Sequence, residues 1–111
     1  VCSSDLYNNE KVEYDGMSFD SKKEYKRYRE LLIMVKLAEI TMPERQVRYL
    51  LIEANETEKK CEYIADFQYY RQSDGVLVVE DVKSEATRKL PTYVIKRKLM
   101  KSVHNISIKE V

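Results

Sequence analysis

Two acidic residues and a lysine interrupt runs of residues that are otherwise typical of β-strands. Asp66 stands within "YIADFQYY", and Asp81 follows "VLVVE", with Lys83 two residues further on. Aspartate is depleted in strands, so its presence there needs a physical reason. Because side chains alternate along a strand, Asp81 and Lys83 are predicted to lie on the same face of the sheet.

Asp66 and Asp81 are predicted to come within reach of each other if their strands pair in matching register. Adjacent carboxylates repel, and a divalent cation between them would remove that repulsion. Hard oxygen ligands without His or Cys favour Mg²⁺, with Mn²⁺ as the alternative ion, over Zn²⁺. Lys83 beside such an ion could orient a water molecule or stabilise charge on a phosphate. The other interpretation is a surface cross-strand ion pair of Lys83 with either acid, and the residues alone leave both open.

Glu24 is a third acid that could belong to this group. The segment "SKKE", from Ser21 to Glu24, is a capping box, in which each side chain accepts a hydrogen bond from the other residue's unpaired amide. Glu24 is also in line with Tyr28, Leu31 and Val35, the stripe predicted to face the sheet. The capping box is the better local explanation of Glu24, but its place in the stripe means that it could also reach the sheet and complete the outer shell of a metal site.

The N-terminal half of the chain carries a turn signal followed by a helical pattern. Asp15-Gly16 between two alternating runs predicts a β-hairpin within residues 7–19. The apolar spacing that follows predicts an amphipathic helix from about Ser21 to Glu39.

The remaining chain predicts four strands and a second helix. Strands are expected over residues 44–53, 61–70, 76–83 and 105–111, and a helix over Thr92 to Val103, with Pro91 before it and His104 in the following turn. The short second connection predicts antiparallel pairing, and the strand–helix–strand order predicts parallel pairing of the last strand. The predicted fold class is α/β (α+β), ordered helix-strand-strand-strand-helix-strand, with a mixed four-stranded sheet flanked by helices.

Length and composition restrict the class of protein. The 111 residues are enough for one domain, predicted over residues 1–111 with its core in 20–111. No apolar run could cross a bilayer and no signal peptide is recognisable, so a cytoplasmic location and no membrane partner are expected. With two glycines there is no phosphate-binding loop, and no small-molecule cofactor is expected. The first six residues, "VCSSDL", resemble a translated sequencing adapter and are predicted to be non-native.

The charge distribution is more informative than the net charge of +1. Between Lys83 and Lys101 all charged residues except Glu85 are basic. Such a segment is either a phosphate-binding face or a solvated helix surface. The basic residues are Lys83, Arg88, Lys89, Lys96, Arg97, Lys98 and Lys101.

Taken together, these residues resemble the PD-(D/E)XK nuclease superfamily: an Asp on one strand, Asp-x-Lys on the next and an acid on the preceding helix. The segments "YDGMSFDSKKEYKRYREL", "YIADFQYY" and "VVEDVKS" are similar to a family of small phage proteins that is assigned to this superfamily. The resemblance covers nearly the whole chain from Tyr7 onward, and it implies a restriction-endonuclease-like core.

The resemblance implies a Mg²⁺-dependent deoxyribonuclease in a bacterial host cell. It implies catalytic roles for Glu24, Asp66, Asp81 and Lys83, with the ion held by the two aspartates and Val82. DNA is the implied partner, and a homodimer is an option because so short a chain covers little duplex. The alternative function is a nuclease-like module that binds nucleic acid or protein without cleavage. The resemblance implies that Gln46 and Lys96 contact phosphate or water. The basic segment adds Arg88, Lys89, Arg97 and Lys98 to the predicted nucleic-acid contacts.

Overall fold

The computed structural model describes residues 11–111. The predicted non-native segment 1–6 and the start of the predicted hairpin, residues 7–10, lie outside the described residues. No helix within residues 11–111 combines the length and the apolar character that a membrane crossing requires.

The predicted hairpin is present in the described part of the chain. Strands β1 (Val12–Tyr14) and β2 (Met17–Phe19) pair in antiparallel register. Asp15 and Gly16 between them have φ angles of 53° and 75°. Positive φ at both central residues is the geometry of a tight hairpin turn, which explains why Asp-Gly is favoured there.

Helix α1 spans Lys22–Lys36 and begins where the capping residues predicted. The Glu24 amide donates to Ser21 Oγ at 3.1 Å, as expected for the capping box. The reciprocal bond differs from the prediction, because Glu24 Oε2 accepts from the amide of Asp20 at 3.2 Å. The helix also ends three residues before the predicted Glu39, since Ala38 adopts a φ angle of 59°.

The four-stranded mixed sheet is confirmed, in the order β3-β4-β5-β6. Pairing is antiparallel for β4 with β5 and parallel for β5 with β6, as predicted. Strands β3 and β4, whose pairing was not predicted, are also antiparallel. The last two strands are shorter than predicted. The strands are β3 (Glu44–Ile52), β4 (Cys61–Tyr70), β5 (Leu77–Asp81) and β6 (Lys109–Glu110).

Two helices connect β5 to β6. The short α2 (Glu85–Arg88) was not predicted, whereas α3 (Pro91–His104) lies within one residue of the predicted ends. His104, predicted in the following turn, is the last helical residue, and its Nε2 lies 2.7 Å from the Leu50 carbonyl oxygen.

The core consists of two apolar clusters, one packed with each long helix. The α3 cluster contains Leu51, Cys61, Tyr63, Ala65, Val79, Tyr93 and Met100. The α1 cluster contains Phe19, Tyr28, Leu31, Ile40, Phe67 and Tyr69.

Strand β4 contributes side chains to both clusters. Ala65 packs in the α3 cluster and Phe67 in the α1 cluster, although alternate residues of a regular strand share one face. The change therefore occurs at Asp66. Gln46 lies opposite, between the paired residues on either side, and has a φ angle of 53°. A positive φ angle is unusual for glutamine, and this local distortion lies at the point where the acidic residues converge.

Candidate functional site

Asp66 and Asp81 lie side by side where β5 ends, as the sequence predicted. The Asp66 amide donates to Asp81 Oδ1 at 3.3 Å, and the Val82 amide donates to Asp66 Oδ2 at 2.8 Å. Asp66 is 9% exposed and Asp81 is 1% exposed. The antiparallel pairing of β4 and β5 thus places two buried carboxylates in contact.

Lys83 is directed at the same group. Its Nζ lies 3.3 Å from Asp81 Oδ2 and 5.3 Å from the centroid of the Tyr93 ring. The hydroxyl of Tyr63 donates to the same Oδ2. Lys83 therefore forms an ion pair, as the alternative interpretation expected, but the pair is buried and not on the surface.

Helix α1 brings Glu24 to the sheet, and Gln46 connects it to Asp66. Gln46 Nε2 lies 3.2 Å from Glu24 Oε1 and 3.4 Å from Asp66 Oδ1, and it donates to both. Arg45 Nη2 is 3.8 Å from Glu24 Oε1. The predicted helix acid thus joins the group, and Gln46, predicted as a nucleic-acid contact, holds two of the acids together.

Burial and the repulsion between neighbouring carboxylates raise the pKa values of two acids in this cluster. Burial raises the pKa of Asp66 to about 9, and the charge of Asp81 contributes next. Burial also raises the pKa of Glu24 to about 7, with the charge of Asp20 as the second cause. Both carboxyl groups therefore retain protons that they would release in water. A bound cation would remove this effect, and the all-oxygen ligands fit Mg²⁺ or Mn²⁺.

The carboxylates that could share one ion differ in part from the predicted set. Among residues 11–111, Asp20, Glu24 and Asp66 offer oxygens within 4.8 Å of one another. Asp81 lies next to this group. Sequence reasoning missed Asp20; its signal was its position directly before the capping box of Ser21 and Glu24. Of the predicted ligand Val82, it is the amide that contacts Asp66.

The five basic residues predicted to form a DNA-binding face are not together on one surface. Lys96 is 5% exposed, and burial followed by the charge of Lys83 lowers its pKa. Arg97 Nη1 lies 3.4 Å and Arg88 Nε 3.9 Å from carboxylate oxygens of Glu110.

Lys89 and Lys98 are the exposed members of the five. Lys89 Nζ lies 3.8 Å from an oxygen of Glu85, which is itself exposed. Lys98 is on the outer side of α3, away from the buried Lys96. The helix thus directs one basic side chain toward the acidic cluster and another to solvent.

Comparison with known proteins identifies a family for this chain, but the function of that family is unknown. A family described as "Protein of unknown function (DUF1064)" matches residues 4–109. The chain belongs to the DUF1064 family. No curated protein and no solved structure matches it. The match begins inside the segment that was predicted to be non-native.

Proposed function

We propose that this DUF1064 chain is a metal-dependent deoxyribonuclease with a restriction-endonuclease-like core. The observation that carries the proposal is the convergence of three buried carboxylates, Glu24, Asp66 and Asp81, with the ammonium group of Lys83. A cluster of perturbed acids beside a half-buried lysine is typical of functional sites.

Mg²⁺ is the ion that this set of oxygen ligands fits, with Asp20, Glu24 and Asp66 as its proposed ligands and Asp81 beside them. When bound, it would supply positive charge and polarise a water molecule or a phosphate oxygen. The proposed role of Gln46 is to hold Glu24 and Asp66 in position through its two hydrogen bonds.

Lys83 stabilises negative charge on the reacting phosphate in this proposal. Its ammonium group is held by Asp81 at 3.3 Å, so it is oriented before substrate arrives. Burial and then the nearby charge of Lys83 lower the pKa of Lys96, which is proposed to contact the DNA from the α3 side of the cluster. The half-buried Arg88 and Arg97 and the exposed Lys89 and Lys98 remain proposed contacts to the DNA backbone.

DNA is the proposed substrate, in the cytoplasm of a bacterial host, with a second copy of the chain as an option for covering more duplex. Incubation with supercoiled, nicked, branched and linear DNA, in Mg²⁺ and in EDTA, tests the reaction. Cleavage is expected only with Mg²⁺.

Two substitutions within the cluster test the assignment. Asp66→Asn is expected to abolish cleavage while leaving DNA binding intact. Lys83→Met should slow cleavage by about 10²- to 10³-fold, the usual effect of losing one preorganised charge. Asp74→Asn is the matched control, because Asp74 is an exposed turn residue paired with Arg71.

Normal turnover by Asp66→Asn in Mg²⁺ would contradict the site. DNA binding by the parent without cleavage of any substrate would favour the non-catalytic binding module instead.

A further inference from the structure

A cavity of about 330 Å³ lies between the β1–β2 hairpin and α1. Four aromatic rings line it, with the exposed charged side chains of Asp15 and Arg29 beside them. The rings belong to Tyr14, Phe19, Tyr25 and Tyr28.

We refer to this cavity as the tyrosine cavity. Its rings are already arranged for stacking. Tyr14 and Tyr25 stack at a centroid distance of 3.9 Å with an interplanar angle of 15°, and Phe19 meets Tyr25 edge-on at 5.2 Å. Tyr14 is 40% exposed. A large aromatic side chain left this accessible beside a cavity can accept a further flat ring.

Basic residues of α1 border the tyrosine cavity and outnumber Asp15, the acid in its lining, which favours a polyanion that carries such rings. Lys22 and Arg29 are exposed and lie three residues before and four residues after Tyr25, so they border the same side of α1 as Tyr25. The exposed Lys26 follows Tyr25 and faces Arg27 and Glu30. The guanidinium of Arg29 lies 6.0 Å from the centroid of the Tyr25 ring. Exposed cations interleaved with aromatic rings are the features by which proteins bind single-stranded nucleic acid.

Arg45 links the tyrosine cavity to the acidic cluster. Its guanidinium lies 4.0 Å from the centroid of the Phe19 ring, and its Nη2 lies 3.8 Å from Glu24 Oε1. Tyr25 also follows Glu24 directly in α1. A polymer that enters the cavity with one unit therefore passes close to the proposed cleavage site.

We propose that the tyrosine cavity binds an unpaired nucleobase of single-stranded DNA, which extends the Tyr14–Tyr25 stack. Arg29 can donate and Asp15 can accept hydrogen bonds at the edge of the base, and the flanking lysines contact the phosphates. This inference deepens the proposed nuclease function and rests on it only in taking DNA as the polymer.

The test measures binding in EDTA, where no cleavage is expected, by fluorescence anisotropy. The two probes are a single strand of about 12 nucleotides and the duplex of the same sequence. Tyr14→Ala should weaken single-strand binding by about tenfold and leave duplex binding unchanged, since one stacking partner is lost. Tyr14→Phe keeps the ring and should bind like the parent.

Two further variants guard against trivial explanations. Tyr70→Ala removes an equally exposed tyrosine from β4 and should change neither affinity. If Tyr14→Ala fails to fold, Arg29→Gln carries the test. It removes an exposed cation and keeps all four rings, and it should weaken single-strand binding several-fold.

Three outcomes would overturn the inference: no single-strand binding by the parent, unchanged single-strand binding by both Tyr14→Ala and Arg29→Gln, or an equal loss on duplex. A protein that cleaves duplex DNA but gives any of these has the proposed function without the base site. Selective loss of single-strand binding in a protein that cleaves nothing keeps the base site and removes the nuclease proposal.

Discussion

Glu80 and Asp81 are consecutive residues of β5, both buried, yet their surroundings are opposite in character. Glu80 faces α1, where Arg27 Nε and Nη2 donate to its two oxygens, each at 2.8 Å. The hydroxyl of Tyr69 donates to it as well, and Lys109 Nζ lies 3.8 Å away. The charge of Glu80 is therefore matched by a bidentate cation and further donors.

Asp81 faces the other side of the sheet, where fewer cations surround it than surround Glu80. Its cation is Lys83, its neutral donor is Tyr63, and Asp66 brings another carboxyl group into contact. The hydrogen bond with Glu80 raises the pKa of Arg27, whereas burial raises the pKa of Asp66 to about 9. The comparison separates a structural ion pair from a cluster in which carboxyl groups outnumber the cations Lys83 and Arg45.

The largest change in the free energy of unfolding is expected from breaking the ion pair between Arg27 and Glu80. Arg27→Met leaves the buried Glu80 without its bidentate partner and should lower the free energy of unfolding by about 3–5 kcal/mol. Urea unfolding with and without Mg²⁺ measures this loss, which should not depend on the ion. Arg29→Met, an exposed neighbour on α1, is the control and should change stability by less than about 0.5 kcal/mol. A loss that Mg²⁺ restores would mean that Glu80 belongs to the metal site.

A smaller change, in the opposite direction, is expected in the free energy of unfolding when Asp66 in the acidic cluster is replaced. In EDTA, Asp66→Asn should raise the free energy of unfolding at pH 7, by on the order of 1 kcal/mol. The reason is that folded Asp66 carries a proton which the unfolded chain releases above about pH 4. The folded parent therefore loses stability as the pH rises from about 4 to about 9, whereas asparagine does not titrate. Thermal melting at several pH values in this window should show the advantage of Asp66→Asn growing with pH.

The same melting experiments are then repeated with Mg²⁺ in place of EDTA. Ion binding should stabilise the parent by mass action, by about 2.7 kcal/mol at a hundred times the dissociation constant, and Asp66→Asn much less. Asp74→Asn should respond like the parent. If Asp66→Asn melts below the parent in EDTA and Mg²⁺ changes neither protein, the cluster is an ordinary buried ion pair.

The smallest effects are expected from removing one hydroxyl on each side. Tyr69→Phe and Tyr63→Phe should each cost about 1 kcal/mol in EDTA, since each removes a donor from a buried carboxylate. Saturating Mg²⁺ should reduce the loss for Tyr63→Phe, because the ion supplies charge near Asp81, and should leave the loss for Tyr69→Phe unchanged. An equal response of both variants to the ion would remove the distinction between the two acids.

Much of the arrangement around Asp81 could be predicted because it depends on local rules. The alternation of strand side chains and the short connection from β4 to β5 predict the contact of Asp66 with Asp81. Asp15-Gly16 predicts the hairpin, and the strand–helix–strand order predicts the parallel pairing of β6. In each case neighbours in the chain carry the information.

The parts that could not be predicted depend on which side of an element faces the interior. Charge alone does not distinguish the buried Lys96 from the exposed Lys98. Only the helical spacing of Lys96 with Tyr93 and Met100 places it on the inner side of α3, and nothing in the spacing shows that it lies near Lys83. The role of Gln46 depends on its positive φ angle, which is not typical of glutamine. Asp20 was missed because it precedes the helix cap, where acids are common without any ligand.

The sequence by itself determined the elements and their pairing, because hydrophobic period, turn residues and caps act over a few neighbouring positions. It also supplied the acids and the lysine of the candidate site. Only the tertiary structure decided that Glu80 is neutralised by Arg27 whereas Asp66 and Glu24 hold protons. The physical reason is that the energy of a charge depends on its burial and on partners distant in the chain, here α1 on one side of β5 and Tyr63 and Lys83 on the other.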